Sequence, residues 1–137
     1  MQVIGCGGRV RVPEIFSWED GPLRLNLPDS LLRFSSSCAR TLVVPKSVVG
    51  KIEVRHPTDV AMVRRLGELF RGWEYAGLSP KGNQRLEVYR QFDGKWYVAV
   101  IQMGCRDLGV NVLVTFHQVY ARKVRSRVCG GNLKSRQ

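Results

Sequence analysis

The sequence predicts an α+β fold in which N-terminal helices pack on one face of an antiparallel sheet. Apolar residues recur at helical spacing between Ser47 and Gly72. Next, RLEVYRQF and KWYVAVIQM flank Asp93-Gly94, the residue pair best suited to a type I′ hairpin turn. After a loop at Gly104 to Gly109, VNVLVTFHQVY supplies a third strand that returns beside the second. Helices come first and the meander of strands follows.

Taken in order, the opening MQVIGCGGRVRVPEIF is an apolar start broken by glycines and arginines, and it shows no secretory leader. Its IGCGG precedes no helix and reads as a flexible lead-in. LRLNLPDSLLRFSSSCAR, from Leu23 to Arg40, suggests one or two short strands around a turn at Pro28 and Asp29. TLVVPKSVVGKIEV is ambiguous, and helix is preferred, with Ser47 as cap and Val48, Val49 and Ile52 on one face. Thr58 is expected to cap the next helix, with Asp59 in its first turn and Val60, Val63, Leu66, Leu69 and Phe70 on its buried side before Gly72. WEYAGLSPKGNQ, Trp73 to Gln84, reads as a loop. There are no internal repeats and no low-complexity tract.

At 137 residues the chain suits a single domain, 1–137, with 1–22 as an N-terminal extension. A domain of that size buries roughly two-thirds of the surface of its unfolded chain, enough for a core without covalent staples. No apolar run reaches the ~20 residues that span a bilayer, so a soluble, cytoplasmic protein without a membrane partner is expected. Cys6, Cys38, Cys105 and Cys129 are widely spaced and form neither a CxxC pair nor a structural zinc pattern. That spacing favours reduced thiols over a secreted disulfide framework.

The charge is strongly positive, with 22 Lys plus Arg against 11 Asp plus Glu. No acidic residue follows Asp107, whereas Arg122, Lys123, Arg125, Arg127, Lys134 and Arg136 crowd the closing stretch. Interleaved with Val119, Tyr120, Val124 and Val128, these cations belong to an ordered element and favour a polyanion, nucleic acid ahead of membrane.

No phosphate-binding glycine loop, dinucleotide fingerprint, HExxH or metal-spaced carboxylate cluster is present, so no metal or cofactor is expected. The remaining candidates suit metal-free phosphate chemistry. His56, just before a helix start, titrates near neutrality and can serve as acid or base. Lys51 and Arg55 flank it. Thr115 and His117, two residues apart on one strand face, are placed to reach phosphate oxygens. Arg55, Arg122, Lys123, Arg125, Arg127 and Lys134 are better suited to phosphate contact than to catalysis. Trp73 and Tyr75 are candidates for base stacking, and Trp96 and Tyr97 are expected in the core.

The succession of KI, RHP, a helix, a strand pair around DGKWYV, LVTF, a basic segment and a glycine before LK resembles the phage-associated nuclease domains of the barnase/EndoU/colicin/RelE-like superfamily. The resemblance runs from about Leu31 to Lys134, the expected core. It implies a four-stranded antiparallel sheet behind N-terminal helices and a metal-independent endoribonuclease, phage-encoded or toxin-like. It implies RNA, with tRNA among the candidates, as substrate and an acidic immunity or antitoxin protein as partner. It carries the family's histidine before proline onto His56, its strand-end hydroxyl onto Thr115, and its basic positions onto Lys51 and onto Lys123 or Arg125. Lys51 stands where such domains often have histidine, which leaves His117 as the second acid–base group or the domain inactive. Two other readings stay open: a binding-only nucleic-acid module, and an interaction domain for an acidic protein.

Overall fold

The computed structural model describes residues 23–35, 39–105 and 109–136. The glycine-rich lead-in, Cys6 and Cys38 lie outside them, as does the middle of the loop expected at Gly104 to Gly109. Among the described cysteine side chains, Cys129 is free and exposed.

The chain enters with β1 (Leu23–Asn26), one turn of helix α1 (Asp29–Leu32) and β2 (Thr41–Val44). Helix α2 (Lys46–Arg55), a 3₁₀ segment (Val60–Arg65) and helix α3 (Leu66–Arg71) follow. Then come β3 (Tyr75–Leu78), β4 (Arg85–Phe92), β5 (Lys95–Cys105), β6 (Val110–Val119), helix α4 (Ala121–Cys129) and the two-residue β7 (Lys134–Ser135).

The expected four-stranded antiparallel sheet is overturned. The described strands form one seven-stranded mixed sheet in the order β1-β2-β6-β5-β4-β3-β7. The hairpin and the return of β6 beside β5 are there, with Phe92 opposite Lys95 and both Asp93 and Gly94 at positive φ. The extra strands come from segments with weak local signals. Residues 23–44 supply β1 and β2, and β2 joins β6 in parallel over Leu42 and Val43. Its entry is held by Asn111, fully buried, whose side-chain amide donates to the Ala39 and Thr41 carbonyls while its oxygen accepts from the Gly104 N–H. A backbone edge that would be buried unpaired is thereby satisfied.

β3 lies inside the segment expected to be a loop, paired with β4 and with β7. Gly77 permits this: a Cβ there would run into the Asn132 carbonyl oxygen. The second feature expected near Pro28 is helical, α1, instead of a strand. Ser47 does not cap α2; Pro45 occupies the cap position, and its fixed φ turns the chain out of β2 while its carbonyl accepts from Val48 and Val49. Val48, Val49 and Ile52 are buried. Thr58 caps nothing, because the segment from Val60 winds as a 3₁₀ helix before α3. Val60, Val63, Leu66 and Leu69 recur every third residue, the period of a 3₁₀ turn, and all four are buried.

The helices do not share one sheet face. Tyr97, Ala99, Ile101 and Met103 of β5 point into the large core beneath α2, the 3₁₀ segment and α3. Val98, with half-buried Trp96 and Val100, points to the opposite face, which α4 covers through Val124 beside Tyr89 and Leu133. A C-terminal helix on the second face was absent from the expected arrangement.

Candidate functional site

Between β5 and β6 the register shifts: Ile101 opposes Leu113, but Val100 opposes Thr115, leaving Val114 as the extra residue of a bulge. Leu113 and Phe116 therefore both enter the core, and Thr115 and His117 sit opposite Val100 and Val98 on the α4 side. Bulges re-aim side chains in this way. Because β2 pairs β6 only as far as Val112, the outer edge of β6 beyond that point faces α2 instead of a strand.

A cavity of about 310 Å³ opens there, lined by Val48, Lys51, Ile52, Arg55 and His56 from the α2 side and Val114, Thr115 and His117 from β6. Lys51, Arg55, His56, Thr115 and His117, picked out separately in the sequence, converge on it. Lys51 and Arg55 are exposed and one helical turn apart, so their charges stand side by side at the rim. His56 terminates α2, its N–H donating to the Ile52 carbonyl and its carbonyl accepting from Asp59.

The chain has two histidines, and they stack: the rings of His56 and His117 have centroids 4.7 Å apart and planes 13° from parallel. Thr115 Oγ1 lies 3.3 Å from His117 Nδ1. Burial holds the His117 pKa below the usual histidine value, and the nearby charges of His56 and Lys123 push it further down against the opposing effect of Asp59. Neutral imidazole is thus favoured at His117 near pH 7.

Asp59 was read from sequence only as a first-turn charge. It is 5% exposed, and its Oδ2 accepts the Gln118 N–H at 3.0 Å, tying the segment after His56 to the strand that carries His117. The one available clue was its place in HPTD, three residues after His56.

The remaining basic candidates separate. Arg122, Lys123 and Arg125 are exposed on α4. Arg127 turns inward and pairs with Glu87. Lys134 lies on β7 at the far edge of the sheet, beside a different cavity lined by Ser30, Arg33, Phe34, Trp73, Ser135 and Arg136. Of the aromatic candidates, Trp73 is buried with its indole N–H on Ser30 Oγ, Tyr97 is buried, and Tyr75 packs against Trp96. Tyr120, 75% exposed at the start of α4 with Arg122 over its ring, is the open aromatic surface nearest His117 in the chain.

Among the described residues, no group of three or more His, Cys, Asp or Glu is placed to hold a metal ion. No helix among them is long and apolar enough to cross a membrane. No protein-family model matches the chain, and no curated protein and no solved structure matches it.

Proposed function

We propose that the protein is an endoribonuclease that cleaves RNA by attack of the 2′-hydroxyl on the adjacent phosphate, without a metal. The observation that carries this reading is the convergence of His56, His117, Thr115, Lys51 and Arg55 on one cavity. Such a reaction needs a base for the 2′-hydroxyl proton, an acid for the leaving 5′-oxygen, and cations for the charge that develops on the phosphorane.

His117, held neutral by burial, is the base. In its working tautomer Nδ1–H donates to Thr115 Oγ1, leaving the Nε2 lone pair to accept the proton. His56 is the acid, giving a proton to O5′ as the P–O5′ bond breaks and the O2′–P bond forms. Lys51 and Arg55 neutralise the phosphorane oxygens, and α4, with Arg122, Lys123 and Arg125, holds flanking phosphates. The products are a 2′,3′-cyclic phosphate and a 5′-hydroxyl.

The short-motif resemblance to barnase/EndoU/colicin/RelE-like nucleases supports the same chemistry, although the seven-stranded mixed sheet departs from the sheet that resemblance implied. The test is incubation with total RNA and with purified tRNA in EDTA, followed by end mapping, with DNA as control. Cyclic-phosphate ends from RNA and an intact DNA control are expected, because DNA lacks the nucleophile. RNA that stays intact but is bound in a salt-sensitive manner would replace this reading with that of a binding module.

A further inference from the structure

A second basic cavity lies beside the first, on the face that α4 covers. It measures about 280 Å³ and is lined by Ser79, Pro80, Lys81, Asn83, Arg85, Glu87, Val100, Lys123 and Arg127. Four cations face one carboxylate, and that carboxylate is already engaged: Glu87 accepts from the Tyr89 hydroxyl and pairs with Arg127. Nε and Nη2 of Arg127 are buried without a hydrogen-bond partner, so the site retains unneutralised donor capacity.

The wall is built before any ligand arrives. In the β3–β4 loop the Ser79 N–H donates to the Arg85 carbonyl, and Ser79 Oγ accepts from the Lys81 N–H. Gln102 holds the far side, its amide donating to the Asn83 carbonyl and its oxygen accepting from Arg85 Nε.

Strand register fixes the distance to the first cavity. Val100 of β5 has Glu87 of β4 on one side and Thr115 of β6 on the other. The two cavities are therefore separated by about two strand spacings, roughly 10 Å. Lys123 lines the second cavity and lies close enough to His117 to act on its charge.

We propose that this cavity is a second phosphate subsite, in which Lys81, Arg85 and Lys123 hold a backbone phosphate of the same RNA strand a short step from the bond placed at His56 and His117. The proposal rests on the endoribonuclease reading, and it makes the substrate a single-stranded polynucleotide instead of a dinucleotide. A strand engaged at both cavities gains affinity from the remote phosphate, whereas a dinucleoside monophosphate reaches only the first.

The experiment compares wild type with K81A/R85A on a single-stranded ten-nucleotide RNA and on a mixture of dinucleoside monophosphates, with binding of a labelled, 2′-O-methylated ten-mer followed in parallel. The expected result is a KM for the ten-mer raised about tenfold in the variant, a salt dependence of binding shallower by about one phosphate contact, and dinucleotide cleavage within twofold of wild type. Equal ten-mer kinetics and binding in variant and wild type would overturn the subsite while leaving the cleavage site standing. Equal loss on both substrates also overturns it, since the cavity would then act on the reacting centre or the fold. If wild type cuts neither substrate, the nuclease reading fails, and binding alone decides: unchanged ten-mer affinity in the variant rejects the subsite, and reduced affinity with a shallower salt slope retains it. Displacement of the ten-mer by inorganic phosphate at comparable concentration would make this a free-anion site and overturn the RNA assignment.

Discussion

The imidazole of His56, at the end of α2, lies flat against that of His117 on β6, with ring centroids 4.7 Å apart. The contact joins a helix terminus to a bulged strand, and it brings the chain's two titratable imidazoles to one cavity rim between Lys51, Arg55 and Thr115.

Replacing either histidine by alanine should lower RNA cleavage by roughly 10²–10⁴-fold, the usual loss for a general acid or base. Thr115→Val should cost less, about fivefold to tenfold, the equivalent of one neutral hydrogen bond of ~1 kcal/mol. Rates measured in EDTA, with circular dichroism as the fold control, check both. Wild-type rates in a folded His117→Ala protein would remove that residue from the chemistry.

The His117 ring should titrate below 6.5, the reference value for histidine, when followed by NMR. Lys123→Ala should move it upward, since a positive neighbour that disfavours imidazolium is lost. The same shift has a consequence for stability. The unfolded chain takes up this proton at higher pH than the folded one, so the contribution of His117 is fully present above its unfolded pKa and is lost as pH falls toward the depressed folded value. Urea midpoints should decline across that window, and by less in His117→Gln. An equal decline in both proteins would assign the effect elsewhere.

Asp59→Ala should destabilise the protein by about 1–3 kcal/mol, because the Gln118 N–H is left without its acceptor. Asp59→Asn retains an acceptor oxygen and should cost less. Denaturant unfolding measures both, and the ring-current shifts of the stacked histidines should change in Asp59→Ala if this carboxylate holds the two segments together.

Glu87→Ala should be among the more damaging single changes, about 3 kcal/mol or more, since it leaves the half-buried Arg127 guanidinium without its counter-charge. Arg127→Met with Glu87→Gln should recover much of that loss. Unfolding of the single and double variants decides the matter, and a double variant no better than Glu87→Ala would contradict it.

Gly77→Ala should cost about 1–3 kcal/mol by forcing β3 away from the Asn132 carbonyl, with loss of hydrogen-exchange protection in β7. Protection unchanged from wild type would count against that close approach.

Local signals in the chain were sufficient for the elements whose causes are local. The Asp93-Gly94 hairpin, the apolar face of α2 and the return of β6 beside β5 each depend on turn chemistry or periodicity within a few residues. The candidate residues Lys51, Arg55, His56, Thr115 and His117 were legible for a related reason: the chain has two histidines, and the cations and hydroxyl near them in sequence are residue types that can meet a phosphate. The remaining features depend on partners distant in sequence. Thr41 to Val44 becomes a strand because Asn111 and the edge of β6 satisfy its backbone, and Tyr75 to Leu78 does so because β4 and β7 lie on either side. The bulge at Val114, the capture of Arg127 by Glu87, the bond from Gln118 to Asp59 and the stacking of His56 on His117 likewise arise only when separate segments pack together. Residue type sets what a side chain can do, and tertiary packing sets which groups it meets, because the energies that choose its neighbours are contact energies between segments that sequence proximity does not encode.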